Sequence, residues 1–421
     1  MKPFKFVHAA DLHLGSPFKG LSAREPNVAE FLHHAAFLAF DKLVSLCIES
    51  KADFLLLAGD IFDTAGRGLK AQLVFREGLG RLRAHGIRVF AVFGNHDPLS
   101  GRLCPVDWPE NVHFFGAEAV EEVIVEISGG PAVSVSGISY RESAERRNLA
   151  KEFRGGTKGL FKIGLLHSNV GREEGYEPYA PCEISDLIRA EIDYWALGHV
   201  HERKILHEDP YVVYPGNIQG RSIREQGARG CFFVTVDGLG RVRLDFRPLD
   251  AARWTSLALD VGKFESMGRL EDAIFSAVEG LLKGADGRPV ICRLALTGRS
   301  SICGELRREW GADELIQRIR DRFIKQDPFV LVEGLSIDCM PAIDLERMRK
   351  TDDFLGFLLR KADELRGLGG ARAVLFEEVL ARLFSDRRVK KVVGGLTPDE
   401  LEGMLKEAEF LCLDMLEGGD R

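Results

Sequence analysis

Residues 53–63 read DFLLLAGDIFD. Phe54 to Ala58 are apolar without a break; Asp60 follows one residue past a glycine, and Asp63 comes three positions later. A short, leucine-rich run of this kind suits a strand buried on both faces. A carboxylate at the end of such a strand is costly unless it is paired, hydrogen-bonded or bound to a metal. The same event recurs along the chain. FKFVHAA is followed by DLH at 11–13, IRVFAVF by GNHD at 94–97, FKIGLL by His167, and DYWAL by GHVH at 198–201.

Helical segments lie between some of these runs. Val28, Leu32, Ala36, Phe40, Leu43 and Cys47 recur at steps of three and four, which predicts a helix from an Asn27 cap to about Ser50. A second helix is expected over about Leu69 to His85, with Gly86 at its C′ position. Strand and helix alternate, so the expected fold is α/β and layered, with its site at the strand ends.

The character changes near Arg241. RVRLDFRPL, WTSLALDV, PVICRLALTG and FVLVEGLSID read as strands, with helices at about 265–282 and 306–323 between the later ones. The expected division is a first domain over 1–245, a small α/β domain over 246–343 and a helical region over 344–421. Thr397-Pro398-Asp399-Glu400 forms a capping box with proline at the first helical position. Leu401, Leu405, Ala408, Cys412 and Met415 then share one face, which either closes its own domain or docks a partner.

Composition bounds the function. Of 421 residues, 45% are hydrophobic and 29% charged, the profile of a soluble globular chain. The net charge of -7 argues against coating nucleic acid by bulk charge. It leaves room for a nuclease, because bound cations and a local basic groove can receive a phosphodiester. No apolar run is long enough to span a bilayer, and His8 and Asp11 come too early for a signal-peptide core, so no membrane association and a cytoplasmic location are expected. The eight cysteines form no CxxC pair, which argues against a zinc ribbon or a thioredoxin-like site and leaves buried thiols.

The strand-end residues Asp11, His13, Asp60, Asn95, His96, Asp97, His167, His199 and His201 carry the chemistry. Hard oxygen donors mixed with imidazoles suit Mn²⁺, Fe²⁺ or Zn²⁺ better than Ca²⁺. They are too many for one tetrahedral ion and enough for two ions, with Asp60 as the bridge. Asp11-x-His13 and His199-x-His201 alternate at period two, as on an extended segment, and either share an ion or split between adjacent ions where the backbone turns.

The order DLH, GD, GNHD, H, GHVH resembles that of the calcineurin-like metallophosphoesterases, which implies a layered α/β/β/α domain. HAADLHLG with GDIFD is similar to SbcD-type DNA repair nucleases, and more closely to YhaO-like exonucleases; YPGNIQGRSIRE at 214–225 also resembles the end of their nuclease domain. The resemblance implies a capping domain after it. It implies one ion held by Asp11, His13, Asp60 and His201 and another by Asp60, Asn95, His167 and His199. It makes His96 the catalytic histidine rather than a ligand. Asp63 and Asp97 fall behind the ligands; Asp63 either orients an imidazole or caps its loop.

Two cations, most suitably Mn²⁺, are implied, with DNA as substrate, 3′-to-5′ exonuclease and single-strand or hairpin endonuclease activity, and a role in DNA repair. Arg221, Arg224 and Arg229 either meet backbone phosphates or belong to a solvated loop. The implied partner is an SMC-like, SbcC-type ATPase docked on the C-terminal helices, and a homodimer is a further possibility. One alternative is a metallophosphoesterase for a small phosphodiester or phosphomonoester. The GDxVDRG pattern of phosphoprotein phosphatases is not met, since Thr64 stands where their arginine does. The other alternative is a non-catalytic, metal-binding scaffold for an ATPase.

Overall fold

A computed structural model describes residues 1–16, 26–63, 68–101, 106–173, 175–306, 309–342 and 344–367, with 408 and 412. The 397–400 capping box, Leu401, Leu405, Met415 and Thr64 lie outside the described residues.

The strands of the first part are β1 (Phe4–Ala9), β2 (Phe54–Ala58), β3 (Arg88–Val92), β4 (Val112–Phe114), β5 (Glu121–Ile127) and β6 (Gly130–Ile138). They continue with β7 (Phe161–His167), β8 (Tyr194–Gly198), β9 (Lys204–Glu208), β10 (Tyr211–Tyr214), β11 (Gly230–Val236) and β12 (Val242–Pro248). They build two six-stranded sheets, ordered β12-β11-β1-β2-β3-β4 and β5-β6-β7-β8-β10-β9. β1, β2, β3 and β4 run parallel, with Phe6 opposite Phe54 and Phe54 opposite Arg88. In the second sheet β6, β7, β8 and β10 run parallel.

The apolar runs are continuous because both faces of the central strands are covered. Phe6, Phe54, Leu56 and Phe90 of the first sheet share a core with Val135, Ile163, Leu165, Tyr194 and Ala196 of the second. Phe6 and Phe54 stack there with ring centroids 5.1 Å apart. The alternate residues Val7, Leu55, Leu57 and Val89 face outward onto α1 (Pro26–Glu49) and α2 (Leu69–Ala84), meeting Phe40, Leu43, Phe75 and Leu79. On the far side, Leu166, Trp195, Leu197 and Tyr214 pack with Leu187 of α3 (Ile184–Arg189). The layers are therefore α/β/β/α.

α1 begins at Pro26, so Asn27 stands inside the helix rather than capping it. α2 ends as expected, with Gly86 beyond its cap at φ +72°. Val28–Glu49 of α1 has the length and apolarity to cross a membrane, yet Ala39, Leu43, Val44 and Cys47 are buried in the core beneath it.

The later chain supplies a three-stranded sheet from Arg253–Asp260, Val290–Thr297 and Val330–Ile337, with helices at Met267–Lys283 and Glu309–Phe323. Two compact units interleave in sequence. One holds Met1–Leu257, Ala273–Leu294 and Glu314–Ser336; the other holds Ala258–Asp272, Ala295–Asp313 and the chain from Ile337. Within the first, Trp254, Ile291 and Leu331 pack on Val28 and Leu32 of α1.

Candidate metal centre

Asp11, Asp60, His167 and His199 sit at or just past the C-terminal ends of β1, β2, β7 and β8, and Asn95 to Asp97 follow β3. The sheets nearly touch at this edge. A Cβ on Gly198 would collide with the Ala58 carbonyl, its carbon only 2.9 Å away, so only glycine lets β8 approach β2 so closely.

The backbone does not stay extended here. Asp11, His13, Asp60 and His199 have φ of 53°, 45°, 50° and 101°. Positive φ is uncommon for non-glycine residues and concentrates at functional sites. The period-two reading of Asp11-x-His13 and His199-x-His201 as extended pairs is corrected accordingly: the strands end at Ala9 and Gly198, and the chain turns. The turns are held by Asp11 N–H donating to Gly59 O at 3.1 Å and His13 N–H to Asp60 O at 3.0 Å. His199 N–H donates to both oxygens of Asp11, at 3.1 and 3.2 Å.

These turns split the second pair between two groups. His201 Nε2 lies 3.1 Å from His13 Nε2 and 3.9 Å from Asp11 Oδ1. His199 Nδ1 and His167 Nε2 each lie 3.1 Å from Asn95 Oδ1. Asp60 Oδ2 stands between the groups, 3.8 Å from His13 Nε2 and 3.5 Å from His167 Nε2.

The outward nitrogen of three imidazoles lies closest to an acceptor oxygen, although Arg221 Nη2 also comes within 3.4 Å of His201 Nδ1. His167 Nδ1 donates to Ala58 O at 2.8 Å, His199 Nε2 to Glu177 O at 2.8 Å, and His201 Nδ1 to Glu225 Oε1 at 2.7 Å. Those bonds fix the tautomers, leaving lone pairs aimed inward at the oxygens of Asn95, Asp60 and Asp11. Lone pairs facing lone pairs around two buried carboxylates call for cations. The residues present therefore fit a pair of divalent ions. Asp11, His13, Asp60 and His201 would hold one, and Asp60, Asn95, His167 and His199 the other.

The electrostatics agree. Burial holds His13 well below its ordinary value and takes His199 to about 3, so both imidazoles are neutral, as ligands must be. Burial also pulls on His167, but the Asp60 carboxylate beside it lifts it to about 9. A proton on His167 stands in the place a cation would take. Burial opposes ionisation of Asp60 too, yet the neighbouring His167 keeps that carboxyl well below the usual range.

His96 differs from the ligands. About a third of its side chain is exposed, and its Nδ1 lies 3.7 Å from Asp63 Oδ1. Asp63 raises the imidazole above its usual value against the opposing effect of burial. His96 also lies near enough to His13 and Asp60 for the three to gather round one ion. Its partial exposure and its carboxylate partner set it apart from the buried candidate ligands.

Asp97 is turned to the backbone. It accepts from Ile61 N at 2.6 Å, Phe62 N at 3.0 Å and Gly94 N at 2.8 Å, tying the Asp60 loop to the loop of Asn95 and His96. Burial, with Asp60 nearby, pushes its carboxyl up to about 7.

Arg221 and Arg229 lie inside the site's wall, while Arg224 is exposed. Arg221 Nη1 lies 3.3 Å from Asp63 Oδ2 and its Nη2 3.6 Å from Glu225 Oε1; Arg229 donates to the carbonyls of His201 and Gln226. Sequence reasoning missed Glu225 and Tyr176. Tyr176 Oη accepts from His201 N at 3.1 Å, and its ring lies 5.8 Å from those of His199 and His201. Glu225 was visible only as the last letter of YPGNIQGRSIRE; a loop carboxylate has no period to betray it.

Residues 4–203 match the family described as calcineurin-like phosphoesterase, and residues 254–340 match the YhaO metallophosphoesterase middle domain. Among curated relatives, the uncharacterised metallophosphoesterase YhaO of Bacillus subtilis is 36% identical over 366 residues, covering 85% of this chain and 86% of that protein. The DNA double-strand break repair protein Mre11 of Thermoplasma acidophilum is 26% identical, covering 52% of this chain and 57% of its own length. The SbcD component of the SbcCD nuclease of B. subtilis is 24% identical, covering 62% of this chain and 70% of its own length. The 4–203 match includes every strand end that carries a candidate ligand, and YhaO is similar over most of both chains; on that ground the chain belongs to the calcineurin-like metallophosphoesterase family.

Proposed function

We propose that this protein is a dinuclear, Mn²⁺-preferring phosphodiesterase that degrades DNA from the 3′ end and opens single-stranded or hairpin DNA. The observation that carries the reading is the ring of inward lone pairs around Asp60, with the partly exposed His96 beside it. Two cations held by these residues would supply the charge that polarises a phosphodiester and makes water a better nucleophile. The chain's own residues do the rest. His96 delivers a proton to the departing oxygen, a contribution of about 10²–10⁴ in rate. Asp63 holds that imidazole in place and favours its protonated form. Ala58, Glu177 and Glu225 keep the other rings aimed inward.

The DNA substrate is supported by the likeness to Mre11 and to the SbcD component of SbcCD. A cytoplasmic repair role beside an SMC-like ATPase, with the C-terminal region as the dock, belongs to the same proposal. The test is to strip the protein of metal, reload it with Mn²⁺, Mg²⁺ or Zn²⁺, and offer end-labelled duplex, hairpin DNA and bis-p-nitrophenyl phosphate. Stepwise loss of the 3′ label with Mn²⁺ supports the proposal. Hydrolysis of the small ester alone moves the assignment to a small-substrate phosphoesterase. A fully loaded protein that cleaves neither is a scaffold.

A further inference from the structure

Three imidazoles in the centre have their outer nitrogen tied down. His167 and His199 use backbone carbonyls, which come with the fold. His201 uses the side chain of Glu225, 24 positions away. That carboxylate is itself fixed. Its Oε2 accepts from the backbone N–H of Arg221 at 2.7 Å and from Asn217 Nδ2 at 3.0 Å, and only 15% of its side chain is exposed.

A carboxylate so placed offers His201 Nδ1 an acceptor at 2.7 Å, closer than the competing donor Arg221 Nη2 at 3.4 Å. It thereby requires the proton at Nδ1 and frees Nε2, which lies 3.1 Å from His13 Nε2. The opposite tautomer would put a lone pair against Glu225 and a proton into the space between the two rings. Resting on the dinuclear reading above, we propose that Glu225 is a positioning residue for one ion only, the ion of Asp11, His13 and His201, by locking His201 into its Nδ1-protonated tautomer. In the other group, His167 and His199 are oriented by the carbonyls of Ala58 and Glu177 instead. Arg221 adds a link across the mouth, with Glu225 on one side and Asp63, the neighbour of His96, on the other.

Two measurements test this. Calorimetric titration of metal-free protein with Mn²⁺ should show two binding events in the wild type. Glu225→Gln keeps the size and removes the charge; it should weaken one event by about 10–100-fold and leave the other within about 2-fold. Equal affinities in variant and wild type overturn the proposal, and so does equal weakening of both events, which marks a general structural role. ¹⁵N shifts of the His201 ring in metal-free wild type need no variant and decide the matter if Glu225→Gln does not fold. A proton at Nδ1 is expected, and a proton at Nε2 overturns the proposal. If the wild type itself binds fewer than two ions, the dinuclear reading fails, whereas the tautomer still reports on Glu225.

Discussion

The Asp60 carboxylate accepts the backbone N–H of His96 at 2.9 Å. The residue that stands between the two candidate ligand groups thus also anchors the loop carrying the partly exposed imidazole. Asp60→Asn should therefore damage more than one function. Loss of a ligand should exceed the roughly 10–100-fold that removal of a supporting group costs, so affinity for both ions should fall by more than about 100-fold. Elemental analysis after gel filtration in Mn²⁺ checks it, and two ions retained per chain would remove Asp60 from its bridging place.

His96 and Asp63 should separate chemistry from metal binding. His96→Ala is expected to keep both ions and to lose about 10²–10⁴ in kcat on a phosphodiester. Asp63→Asn leaves the imidazole but removes the carboxylate 3.7 Å from it, so a smaller loss with metal content unchanged is expected. An Asp63→Asn enzyme with full kcat would leave Asp63 to its other contacts, among them Arg221, Ser16 and His13.

How much of this was legible follows from the physics of each signal. The runs 54–58, 87–93 and 193–197 announced buried parallel strands because covering both faces erases the polar alternation. The ligand types were legible because a carboxylate or imidazole at such a strand end needs a reason to be there. The backbone at Asp11, His13 and His199 was not, since no local pattern distinguishes a period-two pair on a strand from one on a left-handed turn. Arg221 and Arg229 read as loop cations, yet folding brings them against Asp63 and the His201 carbonyl, a pairing across the chain that local composition does not encode.

Two glycines at the centre should fail in different ways. A Cβ on Gly198 would strike the backbone of Ala58, which cannot yield without moving β2. Gly198→Ala should not give a folded product. A Cβ on Gly94 would meet the Asp60 carboxylate and, at 2.7 Å, His167 Nε2, both side-chain ends. Gly94→Ala should fold, with the cost appearing as about 10–100-fold weaker metal binding, of the order seen when a ligand's support is removed. Melting curves beside Mn²⁺ titrations distinguish the two, and a soluble, cooperatively melting Gly198→Ala protein would show that the sheets can part.

His8 should make stability pH-dependent without any part in metal binding. It is fully buried, with Nδ1 3.0 Å from Tyr194 Oη and Nε2 donating to Leu197 O at 3.2 Å. No carboxylate compensates its burial, so desolvation takes it from 6.5 down to about 3. In the fold it stays neutral, whereas the unfolded chain binds a proton below pH 6.5. Its contribution is therefore complete above 6.5 and is lost as pH falls toward 3, at about 1.4 kcal/mol per pH unit. Between pH 6.5 and 5 that amounts to about 2 kcal/mol. Denaturant unfolding of chelator-treated protein at those two pH values should show His8→Gln losing about 2 kcal/mol less than the wild type. Other buried imidazoles contribute to both proteins and cancel in the difference, so parallel losses would assign the acid sensitivity to a different group.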